Sequence, residues 1–137
     1  MRRLGPEQKA LISGSFDAIA DNLEALVADF YRRLFDAAPA TRAFFAEDVD
    51  SQLEKMLRSL EFLIEALDRP EQLRDYARMI GKTHTDAGTL TGHFEVFVPV
   101  FTASVKAFSP DWSAAHDVAW PVFLEDVAAM MGFPLQA

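Results

Sequence analysis

Tyr31, Gln52 and His84 are polar side chains that a helical pattern turns toward an apolar interior. Leu73, Ala77, Ile80 and His84 are spaced four, three and four apart, the period of one helix face against a core. Thr85-Asp86-Ala87-Gly88-Thr89 follows directly, so the spacing predicts a histidine closing its helix at an apolar wall. A neutral imidazole there can offer one ring nitrogen to a metal and give its other N–H to a backbone carbonyl, with that of Ile80 in reach. Tyr31 falls on the inward face made by Leu23, Val27, Phe30 and Leu34, and Gln52 shares a helix face with Met56 four residues on. Taken singly, each has an ordinary reading: a satisfied core histidine, a core tyrosine bonded to a carbonyl or water, a first-turn glutamine, a gap-filling methionine.

The elements that must carry these residues are helices. Pro6 sits at a favoured first-turn position and opens a helix through Leu11, Ile12, Ser15, Phe16 and Ile19. A second helix runs from about Asp21 to Pro39, which starts a short turn to Phe44-Phe45. Asp48 to Ser51 is a polar break, and the next helix runs from about Gln52 to Leu67. Glu71 to Thr83 forms the helix that His84 closes. Thr91-Gly92 opens a helix with Phe94, Phe97, Val98, Phe101, Val105 and Phe108 on one side. Ser113 or Asp111 caps the last helix, which carries Trp120, Phe123, Val127 and Met130 and is stopped by Gly132 and Pro134. Pro99 and Pro121 fall inside these two helices, so each should kink its helix or mark a late start. No alternating strand pattern, internal repeat or linker interrupts the series, so the expectation is one all-α domain over residues 1–137.

Composition excludes several function classes. The 137 residues are half hydrophobic with 12 Phe, enough for a real core and one enclosed ligand. The net charge is −8 and the basic residues are scattered, so nucleic acid and anionic membrane are poor partners on electrostatic grounds. Cysteine is absent, which removes disulfides, thiol nucleophiles and thiolate metal sites. Met1-Arg2-Arg3-Leu4-Gly5-Pro6-Glu7 lacks a signal-peptide apolar stretch and no run reaches membrane-spanning length, so the expected location is the cytoplasm. His84, His93 and His116 do not have the spacing of a zinc site, and no glycine-rich phosphate loop or hydrolase elbow is present.

Longer blocks of text carry a resemblance. Phe30-Tyr31-Arg32-Arg33-Leu34-Phe35 resembles an FYxxLF block, and Pro39-Ala40-Thr41-Arg42-Ala43-Phe44-Phe45 a PxxRxxF connector. Gln52-Leu53-Glu54-Lys55-Met56 is similar to a QxxK(L/M) turn, Ile80 to Gly88 to an LGxxHxxxG block, and Trp112 with Ala119-Trp120 to a W…AW pair. In this order they resemble the globin family, and within it bacterial single-domain globins and the haem domain of flavohaemoglobins. The likeness covers essentially the whole chain. It implies a globin fold of about seven helices around one haem pocket.

The resemblance also implies roles. The cofactor is haem b (iron protoporphyrin IX), with His84 as its metal ligand on one side and the opposite position open to O2, NO or CO. Phe45 is the stacking phenylalanine, with Phe44 as its competitor should the connector slip by one. Tyr31 and Gln52 donate hydrogen bonds to the gas, each worth roughly 1.5–3 kcal/mol, or one to two decades in affinity. Met56 fills the space beside the ligand, and Ile80, Phe94 and Val98 complete the cofactor's walls. Lys55 points to the rim, where a propionate needs a cation, or is simply a solvated lysine. His93 is the rival to His84, and His116 is expected to face water. Two departures matter: the tyrosine and glutamate that polarise the proximal imidazole in flavohaemoglobin-type globins are here Phe94 and Leu135. That lowers the expectation of peroxidase chemistry more than that of nitric oxide dioxygenation. With no reductase module in these residues, such turnover would need an external reductase, and sensing a signalling partner. The alternative from another class is a haem-free globin-fold interaction module. The oligomeric state is not legible.

Overall fold

A computed structural model describes the backbone of residues 4–45 and 49–135, with side chains for 4–43 and 54–135. Among the described residues the order is α1 (Pro6–Ile19), a 3-10 turn (Ala20–Asn22), α2 (Leu23–Ala37), a 3-10 segment (Pro39–Phe45), α3 (Val49–Glu65), α4 (Pro70–Asp86), α5 (Thr91–Phe108) and α6 (Ala114–Met130). The expected seven helices are thus six α-helices and two short 3-10 segments, with no strand among the described residues. The second helix begins at Leu23 rather than about Asp21, because Ala20–Asn22 closes into a tighter turn. The third spans Val49–Glu65, not Gln52–Leu67. The fourth starts at Pro70, a proline at the first helical position, and continues past Thr83 to Asp86. His84 is therefore inside its last turns rather than beyond its end.

One apolar core draws on all six α-helices. In α2 the buried residues are Leu26, Val27, Phe30, Tyr31 and Leu34, the stripe expected from the sequence. In α5 they are Phe94, Val98, Phe101, Ser104 and Val105. These two faces pack on each other, and their join includes a polar pin. Asp29 of α2 accepts the Ser104 hydroxyl at 3.0 Å and Arg33 Nε at 2.6 Å, and also pairs with Arg32. A second pin joins α1 to α6: Trp120 Nε1 donates to Ser15 Oγ at 3.0 Å, while that hydroxyl donates to the Leu11 carbonyl at 2.6 Å. A third joins α3 to α4, where Tyr76 OH donates to Ser59 Oγ at 3.2 Å and the Tyr76 ring stacks on Phe62 at 4.2 Å.

The internal prolines do not break their helices. α5 runs through Pro99 and α6 through Pro121, so neither residue marks a late start. Each proline withholds a donor from the carbonyl four residues back, on Glu95 and Asp117 respectively. Both of those residues are exposed, so water can satisfy the carbonyls at little cost.

Candidate functional site

His84 is set by its own backbone before any other element touches it. Its Nδ1 lies 2.7 Å from the Ile80 carbonyl oxygen, the bond the spacing anticipates. A carbonyl only accepts, so in the neutral ring Nδ1 carries the proton and Nε2 keeps its lone pair. The end of α4 holds the residue from the other side. Gly88, with φ +89°, turns the chain so that Thr89 N–H donates to the His84 carbonyl at 3.0 Å and Gly88 N–H to Thr85 at 3.0 Å. This pair of bonds is a Schellman cap, which needs a residue comfortable at positive φ.

Packing then places α4. Leu73, Ala77 and Gly81 are its buried residues, with Ile80 and His84 half-buried beside them. At Gly81 the helix meets the end of α6 with no side chain between: a Cβ there would stand 2.1 Å from the Met131 carbonyl oxygen. Three residues later the His84 ring faces the ring of Phe94 at 6.0 Å between centroids, tilted by 43°. Phe94 is 8% exposed and stands where the sequence placed it, on the buried side of α5 with Val98.

Tyr31 is joined to the same region through rings. Its centroid is 5.2 Å from Phe30, Phe30 is 5.2 Å from Phe97, and Phe97 is 5.9 Å from Phe94. An unbroken aromatic path therefore runs from the α2 tyrosine to the α4 histidine. The Tyr31 hydroxyl reaches Met56 Sδ at 3.8 Å, a weak acceptor. Burial pushes its pKa up to about 12, so at neutral pH it is a phenol able to donate. Met56 is half-buried against the core, and Lys55 is exposed. The side chains of Phe44, Phe45 and Gln52 lie outside the described residues.

The other two histidines sit in the first turns of helices and accept the N–H of the cap residue three positions back. His93 Nδ1 accepts the Leu90 N–H at 2.8 Å at the start of α5. His116 Nδ1 takes the Ser113 N–H at 3.1 Å at the start of α6, which makes Ser113 rather than Asp111 the cap. His116 does not simply face water: it is half-buried, with its ring stacked on Trp112 at 5.1 Å.

Iron requires an unprotonated nitrogen on a fixed ring, and the chemistry of this donor set fits a haem at His84. Nε2 of His84 makes no hydrogen bond among the described residues, the ring of Phe94 lies beside the imidazole, and a phenol donor lies along the same aromatic interior. Among the described residues no cluster of three or more acidic or histidine side chains could hold a metal by itself. Sequence reasoning passed over Phe133 and gave Gly81 no role. Phe133 packs on Phe94 at 4.9 Å. Its signal was readable: an apolar residue directly after a helix-ending glycine commonly folds back onto the structure.

Comparison with known proteins adds ancestry. A family model described as Globin matches residues 28–131. The chain is 27% identical over 129 residues to "Anaerobic nitrite reductase NSHB5" of Oryza sativa subsp. indica, covering 89% of each protein. It is 27% identical over 135 residues to a leghemoglobin of Psophocarpus tetragonolobus, covering 91% of this chain and 93% of the relative. A leghemoglobin of Canavalia lineata is 26% identical over 140 residues, with 94% of each covered. These relatives are plant proteins, so they support the family rather than the bacterial branch suggested by the motifs. No helix among the described residues is long and apolar enough to cross a membrane.

Proposed function

The chain belongs to the globin family, and on that premise we propose that it is a haem protein binding a diatomic gas reversibly, chiefly oxygen, with His84 as the iron ligand. The observation that carries the reading is the 2.7 Å contact between His84 Nδ1 and the Ile80 carbonyl, which leaves Nε2 as a lone-pair donor on an oriented ring. The haem, taken as haem b, supplies a ferrous centre that can hold O2, NO or CO. Tyr31 contributes a protonated hydroxyl in an apolar interior, where a hydrogen bond to a partly charged ligand is worth more than in water. Gln52 is the second donor and Phe45 the stacking ring by the sequence resemblance. Met56 limits the ligand's space, Ile80, Phe94 and Val98 wall the cofactor, and Lys55 sits at the rim for a propionate. A neutral carbonyl behind His84, rather than a carboxylate, supports a carrier or sensor over a peroxidase.

The finer assignment is a single-domain globin over residues 1–137 with bacterial, flavohaemoglobin-like motifs and a cytoplasmic location. It serves oxygen binding or transport, sensing through a signalling partner, or nitric oxide detoxification with an external reductase. The name of the rice relative favours a second reading, nitrite reduction in the absence of oxygen at the same open position. Anaerobic mixing of the protein with nitrite and an excess of a chemical reductant, read as nitric oxide release over repeated turnovers above a haem-free control, decides between the two.

The primary test is a visible spectrum of purified protein with and without added haemin. A Soret band that shifts with oxygen and carbon monoxide, and is lost in His84→Gly, is the expected result. A protein that stays colourless with haemin would establish the haem-free interaction module instead. In the pigmented protein, Tyr31→Phe should speed oxygen release by roughly one to two decades, the loss of one charge-assisted hydrogen bond.

A further inference from the structure

The end of α6 is folded back by a second Schellman cap. Gly132, with φ +102°, donates to the Ala129 carbonyl at 3.0 Å, and Phe133 N–H donates to the Ala128 carbonyl at 2.8 Å. The turn drives the Phe133 ring inward, to 6% exposure and 4.9 Å from Phe94 at 34°. Phe94 in turn faces His84 at 6.0 Å. The same turn also touches α4 directly, where the Met131 carbonyl lies against Gly81.

We propose that Phe133 is a positioning residue for His84, acting through Phe94 to narrow the range of tilt open to the imidazole ring that is bonded to the Ile80 carbonyl. This rests on the reading of His84 as the iron ligand. The bond to the Ile80 carbonyl and the Cβ–Cγ attachment restrain the ring together, and what freedom is left is a correlated range of χ1 and χ2. A neighbouring ring beside the imidazole narrows that range. Phe94 is that ring and is held between Phe133 and Phe97, the latter edge-on at 5.9 Å and 70°. Neither Phe94 nor Phe133 can donate or accept a conventional side-chain hydrogen bond, so the tilt of the imidazole is narrowed by shape, and the turn after α6 contributes to it.

The experiment compares Phe133→Leu with Phe123→Leu. Phe123 is as buried, at 1% exposure, but packs on Trp120 at 5.9 Å, so its truncation is a control for lost core stability. Two readouts are taken: nitrogen-15 NMR of the His84 ring in the haem-free chain, and the iron–histidine stretch of the ferrous protein by resonance Raman. Phe133→Leu should raise the exchange rate of the Nδ1 proton several-fold and shift or broaden the iron–histidine band at unchanged haem content. Phe123→Leu should leave both at wild-type values. Equal behaviour of the two variants overturns the proposal. If the wild-type chain takes up no haemin, the ligand reading fails instead. The NMR comparison then still decides whether Phe133 orients the ring. Should Phe133→Leu fail to fold, Phe133→Met, which keeps more apolar volume, is read by the same criteria.

Discussion

Gly81→Ala isolates the contact that seats α4, and its cost can be worked from geometry. The new Cβ would stand 2.1 Å from the Met131 carbonyl oxygen and 2.7 Å from that residue's Cα and carbonyl carbon. Ordinary contact begins at 3.4 Å, so about 1.3 Å of separation must be found between two backbones. Neither yields easily. One is the middle of α4; the other is tied by the Met131 N–H to Val127 at 2.9 Å and by the cap bonds that follow. Overpacking a core costs about 1–3 kcal/mol, and with no flexible side chain to move, the upper end applies. For a chain of this size about 3 kcal/mol lowers Tm by roughly 10 °C. Gly14→Ala is the control, because nothing lies within 4 Å of a Cβ at that helical position. There alanine should stabilise by about 0.5–1 kcal/mol through helix propensity alone. Urea unfolding of both variants, followed by circular dichroism, reads the two energies. A Gly81→Ala protein as stable as wild type would refute the reasoning, since α4 and α6 would then be free to part.

Two predictions concern pH. Burial raises the Tyr31 pKa from 10.0 to about 12, so the fold favours the neutral phenol. The stability tied to it, about 2–3 kcal/mol, is fully present below pH 10 and is lost as pH rises toward 12. Tyr31→Phe should flatten that alkaline fall in urea unfolding; parallel curves would show that the hydroxyl is not desolvated. At Asp29, burial works to raise the pKa, but hydrogen bonds from Arg33, Arg32 and Ser104, with the Arg33 charge, outweigh it and hold the carboxyl below its usual value. The resulting stability is present above the unfolded carboxylate range and is lost as pH falls through the depressed value. Asp29→Asn should therefore be less stable at pH 7 and lose less on acidification to pH ~3, while an unchanged acid limb would deny the α2–α5 pin its charge.

The local order of this protein was legible in its residues because helices obey short-range rules. The inward stripe of α2, the Pro6 start, and the bond from His84 to Ile80 all depend on partners within four positions, so spacing determined them. Boundaries slipped where competing short-range preferences were close in energy, as at Ala20–Asn22, where a 3-10 turn displaced the first turn of a helix. Of the two outcomes open for Pro99 and Pro121, the late start is excluded because both helices run through them, and the donors they withhold concern carbonyls on exposed residues that solvent can satisfy. Contacts across long separations were decided only by the folded chain. Ser15 meets Trp120 and Asp29 meets Ser104 because whole helices pack, and no periodicity states which residues face each other across two elements. Tertiary structure likewise gave Gly81 and Phe133 their purpose: a missing side chain has meaning only against the carbonyl it admits, and an apolar residue after the last helix only against the ring it reaches.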